Sequence, residues 1–212
     1  MIAAKRHGGA AALEERLLSA GAPVDLAEIP EDRWLSRMTR CIFNAGFNWK
    51  VVDAKWDGFE IAFYGFNVDR AAMMDDVWLD ELLQDTRIVR NGAKIQTVRD
   101  NAVFLQELRA DGGVANVISN WPPEDFIGLL DMLKTRGNRL GGATAQYFLR
   151  FSGVDSFILS IDVAARLIAE GVVDKAPTSK SAMRSVQAAF NDWREQSGRS
   201  LTEISRVLAM SN

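Results

Sequence analysis

The sequence predicts an all-α protein, and three observations carry that expectation. Apolar residues recur at spacings of three and four along most of the 212-residue chain. Helix start and stop residues fall where these runs begin and end. No segment alternates apolar and polar residues for long, as a half-buried strand would.

Taken in order, the Ala- and Gly-rich first 25 or so residues give a short helical run at 10–20, with fraying expected around it. Helices follow at about 31–45, 49–56, 58–65, 69–73 and 76–85, with Asp57 as the start signal of 58–65. In 91–110, Ile95, Val98, Ala102, Leu105 and Leu108 share one face. Residues 113–121, GVANVISNW, fit helix or loop. Pro122-Pro123-Glu124-Asp125 suits a first helical turn, Phe126, Leu129, Leu130 and Leu133 continue it, and Gly137 stops it. Further helices are predicted at 142–152, 161–170, 179–197 behind Ser179, and 201–210 behind a Ser200–Glu203 capping box. No repeat or low-complexity linker interrupts them. The length allows one large domain or two small lobes.

Composition narrows the class. The chain is 48% apolar and 25% charged, with net charge −3, which argues against coating nucleic acid through bulk charge. One cysteine, Cys41, excludes an internal disulfide framework and suits a reducing cytoplasm. One histidine and one cysteine argue against a Cys/His zinc site. The N-terminus MIAAKRHGGAAALEERLL is broken by Glu14 and Glu15, unlike a signal peptide, and no stretch reaches membrane-spanning length. A soluble, cytoplasmic protein is expected.

Two stretches stand out. In RGNRLGGATAQYFLRF a helix ends at Gly137, a turn runs through Gly141 and Gly142, and a new helix starts. Lys134, Arg136, Arg139 and Arg150 lie in this region with no acid among them. Open N–H groups at a helix start favour an anion. The motif therefore reads either as a Gly-capped helix connection with solvated arginines or as a DNA-phosphate site. In FILSIDVAAR, Asp162 stands between apolar runs with no basic residue within three positions. A carboxylate in an apolar run is costly unless paired; as an N-cap of the following helix it would contribute about 1 kcal/mol.

GGATAQYFLRF…FILSID resembles the helix-hairpin-helix element of the DNA glycosylases related to endonuclease III. Gly141, Thr144 and Ala145 match that turn, and Asp162 stands 18 residues after Thr144, within one residue of the family's spacing. The resemblance implies that Asp162 sits at the mouth of a base pocket and is catalytic, and that Lys134, Arg136, Arg139, Gly141, Gly142 and Thr144 contact DNA. A longer set of blocks, FNAGFNWKVVDAKWDGFEIAFYGFNVDRAAM, LLQDTRIVRNGAKIQTVRDNA and LKTRGNRLGGATAQYF, resembles DNA-3-methyladenine glycosylase I over about 43–153. It implies a bilobed glycosylase-type fold. Residues 30–160 would be its centre, with the hairpin at 134–150, and 1–29 with 161–212 the second lobe.

The base pocket implied is Trp49, Phe43, Phe47, Asn44 and Cys41. For Phe43 and Phe47 a core role competes with the pocket role, and Asn44 is equally a buried structural amide. Arg90 and Lys94 read first as solvated helix ends, then as phosphate contacts. The chain also departs from the family. Its zinc-binding Cys and His are absent, so no metal or other cofactor is expected. Cys41 stands where the family's base-recognising glutamate would be, and the family's pocket tyrosine has no evident counterpart. Asp162, conversely, belongs to the wider superfamily and not to the methyladenine branch. Ala143 occupies the place of the bifunctional members' Schiff-base lysine. The expectation is a monofunctional enzyme acting on damaged, alkylated bases in duplex DNA. The alternatives are a non-catalytic DNA-binding protein and a helical interaction protein with no nucleic-acid role.

Overall fold

The computed structural model describes residues 2–18 and 24–211, and every regular element among them is helical. In chain order these are α1 (Ile2–Arg6), α2 (Ala10–Leu18), α3 (Glu31–Asn44), α4 (Trp49–Ala54), α5 (Trp56–Ala62), α6 (Val68–Ala72) and α7 (Asp76–Gln84). There follow α8 (Gly92–Leu108), α9 (Val114–Ser119), α10 (Phe126–Arg136), α11 (Ala143–Phe151), α12 (Ile161–Ala169), α13 (Lys180–Ser197) and α14 (Leu201–Ala209). The end of the run expected at 10–20 lies outside the described residues.

Most starts follow the sequence signals. Ser179 accepts the Ala182 N–H, and Ser200 with Glu203 forms the capping box of α14. Three differ. α1 forms where fraying was expected. The ambiguous GVANVISNW is helical over α9, entered through two left-handed glycines, Gly112 and Gly113 (both φ 89°). α5 starts at Trp56, so Asp57 lies in its first turn and caps nothing.

The apolar face of α8 is fully buried, and α8 packs against α3 and α6. One apolar cluster runs from α3 through α8, α10 and α11 to α13 and α14. Ala3, Leu13 and Leu17 form a small satellite against Val207 and Met210 at the end of the chain. Arg206 fastens that contact by donating to the carbonyls of Leu17 (2.9 Å) and Arg16 (2.7 Å).

The hairpin between α10 and α11 is held from below by α8. Buried Asn101 accepts the Asn138 N–H on its Oδ1 (2.8 Å) and donates its Nδ2 to the Asn138 carbonyl (3.0 Å). Asn138 in turn donates its side-chain amide to Asp100 (2.6 Å). Leu140 plugs fully into the core beneath the turn. Gly137 is required by contact and not by dihedral, since its φ is −90°. A Cβ there would lie 2.7 Å from Leu140 Cδ1 and 2.8 Å from the Leu133 carbonyl oxygen. Gly142 is required by dihedral, at φ 56° and ψ −134°.

The Asn101 clamp predicts a specific cost. Asn101→Ala leaves the Asn138 backbone groups without their partners, so urea denaturation is expected to show a loss of about 1–3 kcal/mol.

Candidate active site

Three segments converge on α11. The first is the end of α3 and the start of α4. The turn between them reverses the chain through Gly46 (φ 75°), and Asn48 caps α4 by accepting the Lys50 N–H. This places Trp49 at the first position of α4, 41% exposed. Its indole meets Tyr147 and Phe151 edge-on, at centroid distances of 5.3 and 6.0 Å. Tyr147 and Phe151 are four residues apart and share one face of α11.

The second segment is the hairpin. Gly142 precedes α11 with no side chain capping its first turn, so N–H groups there remain open donors beside Thr144. Arg139 adopts a left-handed backbone conformation (φ 58°) at the tip and is exposed, as is Lys134. The Lys134 stem runs under Gly141, where a Cβ would fall 3.3 Å from Lys134 Cγ. A cleft of about 540 Å³ opens on this side, and Lys134, Gly142, Ala143 and Gln146 face Lys180 and Arg184 of α13 across it. Lys180 and Arg184 were not singled out from the sequence. They lie on another helix far along the chain, and only the packing of α13 against α10 brings them to the hairpin.

The third segment runs between α11 and α12 and leads to Asp162 in the first turn of α12. Arg150, half-buried and pulled down to about 10 chiefly by desolvation, donates to the Ser156 hydroxyl (3.2 Å) and carbonyl. Asp155 accepts the Leu201 and Thr202 N–H groups at the start of α14 (3.1 and 2.8 Å). The Leu159 N–H donates to Gln146 Oε1 at 2.7 Å. Gln146 precedes Tyr147, so the approach to Asp162 is pinned to the same helix that meets Trp49.

Several expectations are corrected. Asp162 does not sit in a buried run. Val163, Ala164 and Leu167 form the buried stripe of α12, which leaves Asp162 exposed in the first turn. Nor is Asp162 the N-cap; Ser160 is, accepting the Val163 N–H. Phe43 is 0% exposed and packs edge-on against Phe59 at 4.7 Å, so it is core with no ring face for a base. Arg136 is turned toward α8, where it pairs with Glu107 (3.6 Å) and Asp111 (4.0 Å) over the Phe104 ring, and not toward the hairpin tip.

Lys94 is no solvated helix end. It is buried and donates to the carbonyls of Phe43 (3.1 Å) and Ala45 (2.6 Å), the open C-terminal end of α3. Desolvation, then repulsion from Arg139, lowers its pKa. Half-exposed Phe47 lies over the Lys94 ammonium at 4.5 Å. Asn44 is 5% exposed, and its Oδ1 has no hydrogen-bond partner among the described residues. Cys41 is 6% exposed, and burial pushes its thiol up to about 12, so a neutral group occupies this part of α3. Among the described residues no three His, Cys, Asp or Glu side chains gather as a metal site.

With this geometry in place, the fold is similar to that of the helix-hairpin-helix DNA glycosylases. An 8-oxoguanine glycosylase/lyase from Methanocaldococcus jannaschii, solved with 8-oxoguanine DNA, aligns over 99% of this chain and 96% of its own (TM-score 0.55, 15% identity). Part of the chain is also similar to DNA-3-methyladenine glycosylase I. Residues 29–125 match the methyladenine glycosylase family model. A 3-methyladenine DNA glycosylase I structure aligns over 59% of this chain and 80% of its own (TM-score 0.51, 24% identity). The enzyme from Staphylococcus aureus aligns over 63% and 79% (TM-score 0.53, 22% identity). A search of curated protein sequences finds no match.

The raised Cys41 pKa fixes a sign for stability against pH. The thiol ionises more easily unfolded than folded, so folding stability is full below about 9 and is lost as pH rises toward about 12. Denaturant midpoints measured across that range are expected to fall, and Cys41→Ala to flatten the fall.

Proposed function

We propose that the protein is a monofunctional DNA glycosylase acting in the cytoplasm on a damaged, 3-methyladenine-like base flipped out of duplex DNA. The observation that carries this reading is the seating of half-exposed Trp49 on Tyr147 and Phe151, the outer face of the hairpin's second helix. Base recognition and backbone recognition then share one rigid element. An extrahelical base needs a flat partner, and an electron-poor alkylated base gains from an indole face through cation–π attraction. With Cys41 neutral, the indole carries that attraction without a carboxylate beneath it.

The backbone side is electrostatic. Lys134 and Arg139 flank the open N–H groups of α11, and Lys180 and Arg184 extend the basic surface across the cleft. Phosphate contacts of this kind position the duplex and make binding fall with salt.

Cleavage breaks the bond between C1′ and the base nitrogen. Positive charge builds on the sugar, water supplies the new C1′–O bond, and the water's proton ends on solvent or on the base. Asp162, held in the first turn of α12, is the carboxylate assigned to the sugar cation and the incoming water. Ala143 has no amine, so no Schiff base forms at that position, and hydrolysis without strand cleavage is the outcome.

A second reading is favoured by one observation. Asp162 is exposed, and a solvated anion stabilises a transition state less than a desolvated one. A hairpin protein that binds DNA without turnover fits that exposure. Release of free base from methylated duplex DNA separates the two. Wild type is expected to release 3-methyladenine without cutting the strand, and Asp162→Asn to slow single-turnover release about 100-fold or more. Absence of release from a full lesion panel, with Asp162→Asn indistinguishable from wild type, would leave the non-catalytic reading. In either case Arg139→Ala is expected to weaken duplex binding and to lower the salt slope by about one.

A further inference from the structure

The cleft of about 540 Å³ beside the hairpin lies on a different side of α11 from the indole. Gln146 lines the cleft, while its neighbour Tyr147 meets Trp49, and adjacent helical residues point about 100° apart. The walls follow helical spacing. Ile127, Leu130 and Lys134 stand three and four residues apart on α10, and Lys180 stands three and four residues before Met183 and Arg184 on α13. Leu130, Leu159 and Met183 give the cleft an apolar wall. Lys134, Lys180 and Arg184 are exposed around it, and none of them forms an ion pair among the described residues.

One polar side chain in the cleft is buried and half-used. Gln146 is 5% exposed. Its Oε1 accepts the Leu159 N–H at 2.7 Å, which fixes the orientation of the amide. Its Nε2 has no hydrogen-bond partner among the described residues. Buried polar groups are almost always paired, so this donor on the cleft wall is matched by an acceptor from outside the chain. The uncapped start of α11 at Gly142 adds open backbone N–H groups to the same cleft. Along α10 the wall changes sign. Asp125 stands at the start of the helix, Asp131 in its middle and Lys134 in its last turn. Asp125 and Lys134 are separated by roughly 13 Å along the helix axis.

We infer that the cleft is a second binding site, separate from the indole, that takes a free nucleoside monophosphate such as AMP. The inference goes beyond the glycosylase reading and does not depend on it. The unpaired cations and the open N–H groups of α11 favour a phosphate. The apolar wall covers a flat base, and Gln146 Nε2 supplies a fixed donor to it. The volume falls within the range of small-ligand sites. A continuous nucleic-acid strand fits less well. It carries a phosphate on both sides of each nucleotide, and Asp125 and Asp131 repel the further ones. A mononucleotide carries its charge at one end only.

Isothermal titration calorimetry at low salt tests this, with AMP, adenosine and inorganic phosphate as separate titrants of the full chain. AMP is expected to bind one site per chain with a Kd below about 1 mM, and adenosine and phosphate about tenfold more weakly or worse. Gln146→Glu keeps an acceptor for the Leu159 N–H and replaces the free donor by a carboxylate oxygen. It is expected to weaken AMP about tenfold while the melting temperature stays close to that of wild type. Arg184→Gln, at an exposed position, is expected to weaken AMP about fivefold and keeps the test independent of folding. Three results overturn the inference: no saturable binding of AMP, phosphate or adenosine binding as tightly as AMP, or AMP affinity unchanged in both variants.

Discussion

Two polar side chains on one buried helix hold the working parts of this molecule in place. Lys94 and Asn101 stand seven residues apart on α8, so they lie on the same stripe. Each satisfies irregular backbone that would otherwise be left unpaired where water is scarce. Lys94 closes the carbonyl end of α3 and fixes the turn that delivers Trp49. Asn101 closes the turn at Asn138 and fixes the hairpin that starts α11. The indole and the helix it rests on are thus set by one rigid rod. That arrangement explains why polar residues interrupt an otherwise apolar face in the centre of the core.

The electrostatics around α3 follow from how its neighbours' charges are paired. Cys41 on α3 is buried, and burial holds its thiol protonated. The acids of the adjoining helices are committed elsewhere, Glu60 to Arg33, Ser36 and Trp56, and Asp53 to Arg40. The carboxylate assigned to chemistry comes instead from the far side of the hairpin. It is carried on a segment pinned to α14 through Asp155, Ser156 and Ile158, and to α11 through Gln146. On the proposed reading, recognition and bond cleavage are supplied by different parts of the chain, both packed on α11.

The helices were legible because their signals are local. Apolar periodicity, Ser179, and the Ser200–Glu203 box act within a turn or two of chain, and the elements form where they point. The misread boundaries have equally local causes: Asp57 looked like a cap but was overtaken by helix starting one residue earlier, and two glycines could not by themselves decide whether 113–121 would coil. Motif resemblance singled out Trp49 and the glycine turn, and in the structure Trp49 packs against the helix that follows that turn. Phe43 was not, because an aromatic beside a pocket motif is indistinguishable in sequence from one that faces the core.

By itself, then, the sequence determined the helical class, most element boundaries, the hairpin and the candidate roles of Trp49 and Asp162. All of these depend on neighbours in the chain or on ordered motifs. Only the tertiary structure decided that Asp162 is exposed, that Lys94 is buried against two carbonyls, and that Arg136 turns away from the hairpin. Each of those is a question of which group from a distant segment arrives within hydrogen-bonding distance. Charge and polarity are read from one residue, but their pairing is a property of the packed chain.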